Sequence, residues 1–299
     1  MNIQILCERR YDILYKYRVK MRKIISYVGK HISLKTKFRL RVLLSKISNV
    51  LDKQRIEIFN IQEEKGIETI PIFIISYNRL SYLKIMIERL ERMGKTNIII
   101  IDNASTYPPL LEYYKQIPYK VIKMKQNEGH MVFWNNPKFE DYRKNFYIVS
   151  DPDIEIIDEC PQDFIKIFFE YLKKYPFVRK VGFSLKIDDL PEQSILGKEV
   201  QEWECRYYKA KVDGGKLFYA AIDTTFALYV PDQLAKKLKF YSAFRTAYPY
   251  QARHLPWYKL KTNITDEDIF YSQNKKNGWW DNANGSVTPD NKKEYANEK

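Results

Sequence analysis

An α/β fold, with helices on both faces of a mostly parallel sheet, is what this sequence predicts, and three observations carry that prediction. Residues 146–153 read Phe-Tyr-Ile-Val-Ser-Asp-Pro-Asp, an apolar run without alternation that ends in two carboxylates. Residues 71–102 spell a strand, a helical stripe and a second strand. The apolar runs 71–75, 97–101 and 119–124 each lead into a polar cluster. An unbroken apolar run marks a strand covered on both faces, the usual state in a parallel sheet.

The 299 residues hold 45% apolar and 15% aromatic side chains, enough for a packed core and too many for disorder. Cys7, Cys160 and Cys205 show no paired spacing, which reads as reduced thiols in a cytosolic compartment. Charged residues from Glu8 to Arg10 interrupt the start before any secretory apolar stretch develops. No apolar run approaches the ~20 residues of a membrane span.

The net charge of +14 is uneven, because residues 1–60 hold 15 basic and 4 acidic side chains. Within them Leu14, Tyr17, Met21, Ile24 and Val28 form one helical stripe. Leu40, Leu43, Leu44, Ile47 and Leu51 form another. Residues 1–66 are therefore expected to be a basic amphipathic helical extension, 67–287 the main domain and 288–299 a polar tail. The extension either packs on the domain or lies on an anionic membrane, where each cation contributes about 1 kcal/mol. Its charge also suits nucleic acid, but no recognised binding motif accompanies it, so nucleic acid is not an expected partner.

In the domain, Pro71–Ile75 predicts the first strand and Ser76-Tyr77-Asn78-Arg79 its turn. The stripe Leu80, Leu83, Ile87 and Leu90, with Met86 and Met93, predicts a helix that Gly94 ends in the left-handed conformation. Asn97–Ile101 delivers Asp102 and Asn103 to the end of the second strand. The third strand, Tyr119–Met124, leads to Asn127 and Gly129. Open α/β sheets bind ligands at such strand ends. Asp151 and Asp153 sit at the end of the next strand, separated by Pro152, which bends the chain so that both can face one point. Two carboxylates with no neighbouring Cys or His suit a hard cation, Mg²⁺ or Mn²⁺, shared with phosphate oxygens.

These pieces resemble a GT-A-fold, nucleotide-sugar glycosyltransferase of the broad family-2 type. The motifs are PIFIISYNR (71–79), IIIIDNAS (98–105), NEG (127–129), YIVSDPD (147–153), AAIDTTFALY (220–229) and TDEDIFYS (265–272). They stand in the family's order across roughly residues 68–285. QARHLPWY (251–258) further resembles a bacterial subset that builds surface polysaccharide or lipopolysaccharide. The resemblance implies a Rossmann-like αβα domain. It places uridine against Ser76–Arg79, Asp102, Asn103, Asn127, Gly129 and Asp151, with the metal and diphosphate at Asp151 and Asp153. A late Glu-Asp pair supplies the base. The expected partners are a UDP-sugar and a saccharide or lipid-linked saccharide, at the cytoplasmic face of a membrane.

Individual residues keep two readings. Asp102 caps the next helix or accepts the base's imide N–H. Arg79 is a solvated helix start or a diphosphate contact. Asp223 is a buried turn residue or touches the acceptor. His254 is packed against Trp257 or completes the metal site, and Arg253 joins it at the diphosphate. Trp257 and Trp203, Tyr207, Tyr208, Trp279 and Trp280 are core or an acceptor floor. His130 reads as structural. Thr265 and Asp268 read as a helix cap, yet crowding of Asp266, Glu267 and Asp268 is expected to raise a carboxyl pKa, which makes Asp268 the expected base, then Glu267, then Asp266. A nucleotidyltransferase or a non-catalytic binding protein is the alternative.

Overall fold

The computed structural model describes residues 36–43, 53–236 and 238–274. The first helical stripe, the positions Leu44, Ile47 and Leu51, the pair Trp279 and Trp280, and the polar tail lie outside them.

A helix α1 (Lys53–Lys65) precedes the first βαβ unit, formed by β1 (Ile72–Ser76), α2 (Leu80–Arg92) and β2 (Ile98–Asp102). After α3 (Pro108–Tyr113) come β3 (Lys120–Lys123), β4 (Tyr147–Ser150) and β5 (Ile154–Ile156). The rest comprises α4 (Phe164–Lys174), β6 (Lys180–Leu185), α5 (Gly197–Glu204), β7 (Lys211–Val212), β8 (Leu217–Tyr219), β9 (Ala227–Tyr229), β10 (Ala243–His254) and α6 (Asp266–Asn274).

One sheet runs β3-β2-β1-β4-β9-β6-β10-β8-β7, with β5 paired to β10. Strands β1 to β4 are mutually parallel, and because β9 is antiparallel to both β4 and β6, β6 and β10 share their direction. The sheet is thus mostly parallel, as the apolar runs predict. Its register sets strand ends side by side: Ser76 lies level with Asp102, and Ile74 with Ser150.

Alternate strand residues feed two cores. On one face Ile72, Ile74, Ile98, Ile100 and Ile148 meet Leu83, Met86, Ile87 and Leu90 of α2 and Phe164, Phe168 and Phe169 of α4. On the other, Phe73, Ile75, Ile99, Ile101 and Val149 meet Val132, Phe133 and Phe139. Each such side chain contributes about 1.5–3 kcal/mol on burial. Gly94 follows α2 at φ +70°, the expected stop signal. Gly182 on β6 has a different reason: a Cβ there would lie 2.3 Å from the Phe226 carbonyl oxygen. β9 can wedge between β4 and β6 only against a glycine.

The described parts of the N-terminal extension rest on the domain. Phe59 of α1 is buried between Phe146 and Phe169, both at 4.9 Å, while Arg55 donates to the Leu172 carbonyl. In the helical stretch 36–43, Phe38 meets Tyr175, Phe177 and Phe244 at 5.8–6.1 Å, and Arg41 donates to the Tyr219 hydroxyl. Leu43 points to solvent at 54% exposure. Among the described residues no helix is long and apolar enough to cross a membrane.

Candidate functional site

The polar ends of β1, β2 and β3 are stitched into one wall. Asn78, at φ +52°, donates its N–H to Ser105 Oγ and accepts at Oδ1 from the amides of Thr106 and Tyr107 at 2.7 and 2.9 Å. Asp102 Oδ1 accepts from the Ser105 amide at 3.1 Å. Asn103 donates to Asn127 Oδ1 and the Gly129 carbonyl, both at 3.0 Å, and accepts from the Glu128 amide. Of the expected nucleotide residues, Asn78, Asp102, Asn103, Asn127 and Gly129 are brought together, with Ser76, Asn78, Asp102 and Asn103 all buried.

Asp151 follows β4 on the same edge. Its N–H donates to the Thr224 carbonyl at 3.2 Å, and Thr224 Oγ1 returns a bond to Asp151 Oδ2 at 2.5 Å. Burial and then the Asp153 carboxylate push the Asp151 carboxyl up to about 7; Asp223 adds to this, while Thr224 and His130 oppose it. Pairing of β5 with β10 sets His254 opposite Ile154, and His254 Nε2 lies 3.5 Å from Asp153 Oδ2. Asp151, Asp153, Asp223 and His254 thus meet at one place. Sequence reasoning missed Thr224; His130 is exposed. Among the described residues no three His, Cys, Asp or Glu side chains suffice to hold a metal alone.

The late acidic cluster has a different character. Asp268 accepts from Arg79 Nη1 at 2.7 Å, Lys259 Nζ at 2.6 Å, and Thr265 Oγ1 and N at 2.7 and 2.9 Å. Its own N–H donates back to Thr265 Oγ1, which completes the cap read from the sequence. Burial acts to raise its pKa, but Lys259, Thr265 and Arg79 overcome this and hold the carboxyl at about 2. Glu267, 6% exposed, accepts from the Leu80 and Ser81 amides and the Ser81 hydroxyl at 2.9–3.1 Å, serving as an anion at the α2 N-terminus. Asp266 is exposed. This corrects the expectation for the base. Repulsion within the cluster is outweighed by cations and helix amides, so Asp268 is a weak proton acceptor and Glu267 is occupied.

Other residues are redirected too. Arg79 is buried and not a solvated helix start: it pairs with Asp268 and stacks on Tyr271 at 3.8 Å. Tyr77 donates to the Asn274 carbonyl. Arg253 and His254 are neighbours on a strand and point to opposite faces, so they do not act together. Arg253 instead grips Asp189 at 2.7 and 2.9 Å, near Glu155. Trp257 is 3% exposed, packed on His254 at 4.7 Å; it belongs to the core and not to an acceptor floor. Trp203, Tyr207 and Tyr208 stay half-exposed, with Arg206 stacked on Trp203 at 3.3 Å and Arg245 on Tyr207 at 4.0 Å.

No curated protein matches the chain. Among solved structures, the 4-diphosphocytidyl-2C-methyl-D-erythritolsynthase from Anaerococcus prevotii DSM 20548 is similar at 12% identity and TM-score 0.30, covering 69% of this chain and 96% of that one; so loose a likeness carries no argument. Residues 72–219, which run from β1 through β8 and hold the wall residues with Asp151 and Asp153, match the model of glycosyl transferase family 2.

Proposed function

We propose that the chain is a metal-dependent glycosyltransferase that moves a sugar from a UDP-sugar to a saccharide hydroxyl with inversion. The family-2 match over 72–219 supports a nucleotide-sugar transferase. The observation that carries the reading is the meeting of Asp151, Asp153 and Asp223 beside the 76–79, 102–105 and 127–129 wall, where burial and mutual repulsion hold the Asp151 carboxyl at about 7. Such an excess of negative charge fits a hard divalent cation. Asp151 and Asp153 would hold Mg²⁺ or Mn²⁺, with His254 behind Asp153, and the donor diphosphate would complete a shell that three protein groups do not fill. Bound there, the cation would neutralise charge growing on the leaving diphosphate.

The wall holds the nucleoside, and Thr224 orients Asp151. With Asp268 and Glu267 engaged elsewhere, Asp223 is the carboxylate we assign to take the proton of the acceptor hydroxyl, with Asp266 second. A saccharide bound to an anionic membrane surface is the acceptor that a basic N-terminus of +11 over residues 1–60 would favour, as in bacterial surface polysaccharide assembly. Incubation with UDP-sugars, acceptor and Mn²⁺ should release UDP and stop in excess EDTA. Release of pyrophosphate from CTP or UTP instead would make it a nucleotidyltransferase.

A further inference from the structure

Lys180 is 0% exposed, although a lysine is among the costliest side chains to bury. It begins β6 opposite Tyr229 of β9, and its Nζ lies 4.1 Å from the Phe240 ring centre, 4.9 Å from that of Tyr229 and 5.5 Å from that of Tyr241. From this box Nζ donates to the Asp223 carbonyl at 3.0 Å and to the Tyr229 hydroxyl at 3.1 Å. The Tyr229 hydroxyl reaches the same Asp223 carbonyl at 3.4 Å. One residue further on, Thr224 exchanges two bonds with Asp151. On the other side of Asp223, Arg245 Nε holds the Ala221 carbonyl at 2.7 Å.

We propose that Lys180 is a positioning residue: it fixes the loop 220–226 at the Asp223 carbonyl, and through Thr224 that hold sets the carboxylate of Asp151. An apolar side chain of similar length would fill the aromatic box at lower desolvation cost. What only lysine supplies there is a donor aimed at the loop, and either its ammonium or its amine can donate. Asp223 presents its carbonyl inward to Lys180, so the backbone that carries its carboxylate is held beside Asp151. The role rests on the metal–diphosphate reading of Asp151 and Asp153 and adds a buried anchor behind them.

The test uses the full chain with Lys180→Met. Thermal stability should be unchanged or higher, because an apolar side chain replaces a buried amino group that is costly to desolvate. Hydrogen exchange should accelerate at the Asp151 amide and across 220–226, and affinity for Mn²⁺–UDP should fall about 10- to 100-fold, the usual effect of losing an outer partner of a metal ligand. Combining Lys180→Met with Thr224→Val should weaken Mn²⁺–UDP binding little more than Thr224→Val alone, since both act through one chain of contacts. Lower stability with unchanged exchange and affinity would overturn the proposal, as would additive losses. Should Lys180→Met not fold, Tyr229→Phe removes only a hydroxyl from the same carbonyl; it should show the same changes, smaller, and no change would equally overturn it. Wild-type protein that binds no Mn²⁺–UDP would defeat the functional reading, while exchange at the Asp151 amide would still decide whether Lys180 holds the loop.

Discussion

Asp151, Asp153 and Asp223 form one group of three acids; Asp266, Glu267 and Asp268 form another. Each holds three carboxylates, and their chemistry is opposite. In the first, burial and neighbouring carboxylates push Asp151 up to about 7. In the second, Lys259, Arg79 and Thr265 draw Asp268 down to about 2, while helix amides take Glu267. Acids become a site where their counter-charge is withheld, and a fastening where it is supplied. Crowding alone does not distinguish the two.

The largest effect that could break this contrast is loss of a carboxylate from the first group. Asp153→Ala should lower transfer by about 10³-fold or more, the scale of several kcal/mol of lost charge stabilisation, with the melting temperature intact. Unimpaired turnover in that variant, or in EDTA, would remove the metal from the picture. In the second group the damage should fall on the fold. Glu267→Ala strips a buried anion from the α2 N-terminus and should cost about 2 kcal/mol of stability in denaturant titration, with activity per folded molecule retained. Asp268→Asn should cost about 1–2 kcal/mol and slow the reaction by less than tenfold. A drop of 10²–10⁴-fold with unchanged stability would restore it as the base.

pH separates the groups more gently, and with opposite signs. Asp268 titrates lower in the folded protein than in the unfolded chain, so its contribution is present above about pH 4 and fades as pH falls toward 2. The stability gap between wild type and Asp268→Asn should close over that interval. Asp151 titrates higher when folded, so the metal-free protein should lose stability as pH rises from about 4 to about 7. Asp151→Asn should match the wild type near pH 3 and exceed it at pH 8 in urea melts without metal. Mn²⁺ affinity of the wild type should fall as the medium is acidified below about 7, because protons compete for the same oxygens.

What was legible follows from how far each signal travels along the chain. β1, α2 and β2 could be read because an apolar run, a 3.6-residue stripe and Gly94 are local. The Thr265–Asp268 cap could be read for the same reason. The sequence order also brings 76–79, 102–105, 127–129 and 151–153 to one edge, since parallel strands joined by crossovers leave no other place for their ends. The pairings that decide the chemistry are distant. Thr224 meets Asp151 across 73 residues, and Asp268 meets Arg79 across 189. Nothing in TDED reveals that a cation and a helix end await it. Arg253 and His254 looked like partners because they are adjacent, and only the strand conformation of β10 turns them apart.

The bond from Glu267 to the start of α2 spans 187 residues, and it has a consequence during synthesis. A ribosome adding about 5–20 residues per second completes the first βαβ unit at Asp102 and then needs roughly 8–33 s more before Glu267 exists. Throughout that interval the amides of Leu80 and Ser81 must be satisfied by water. The nascent N-terminal half therefore waits, with the start of α2 uncapped, for α6 to arrive and close it.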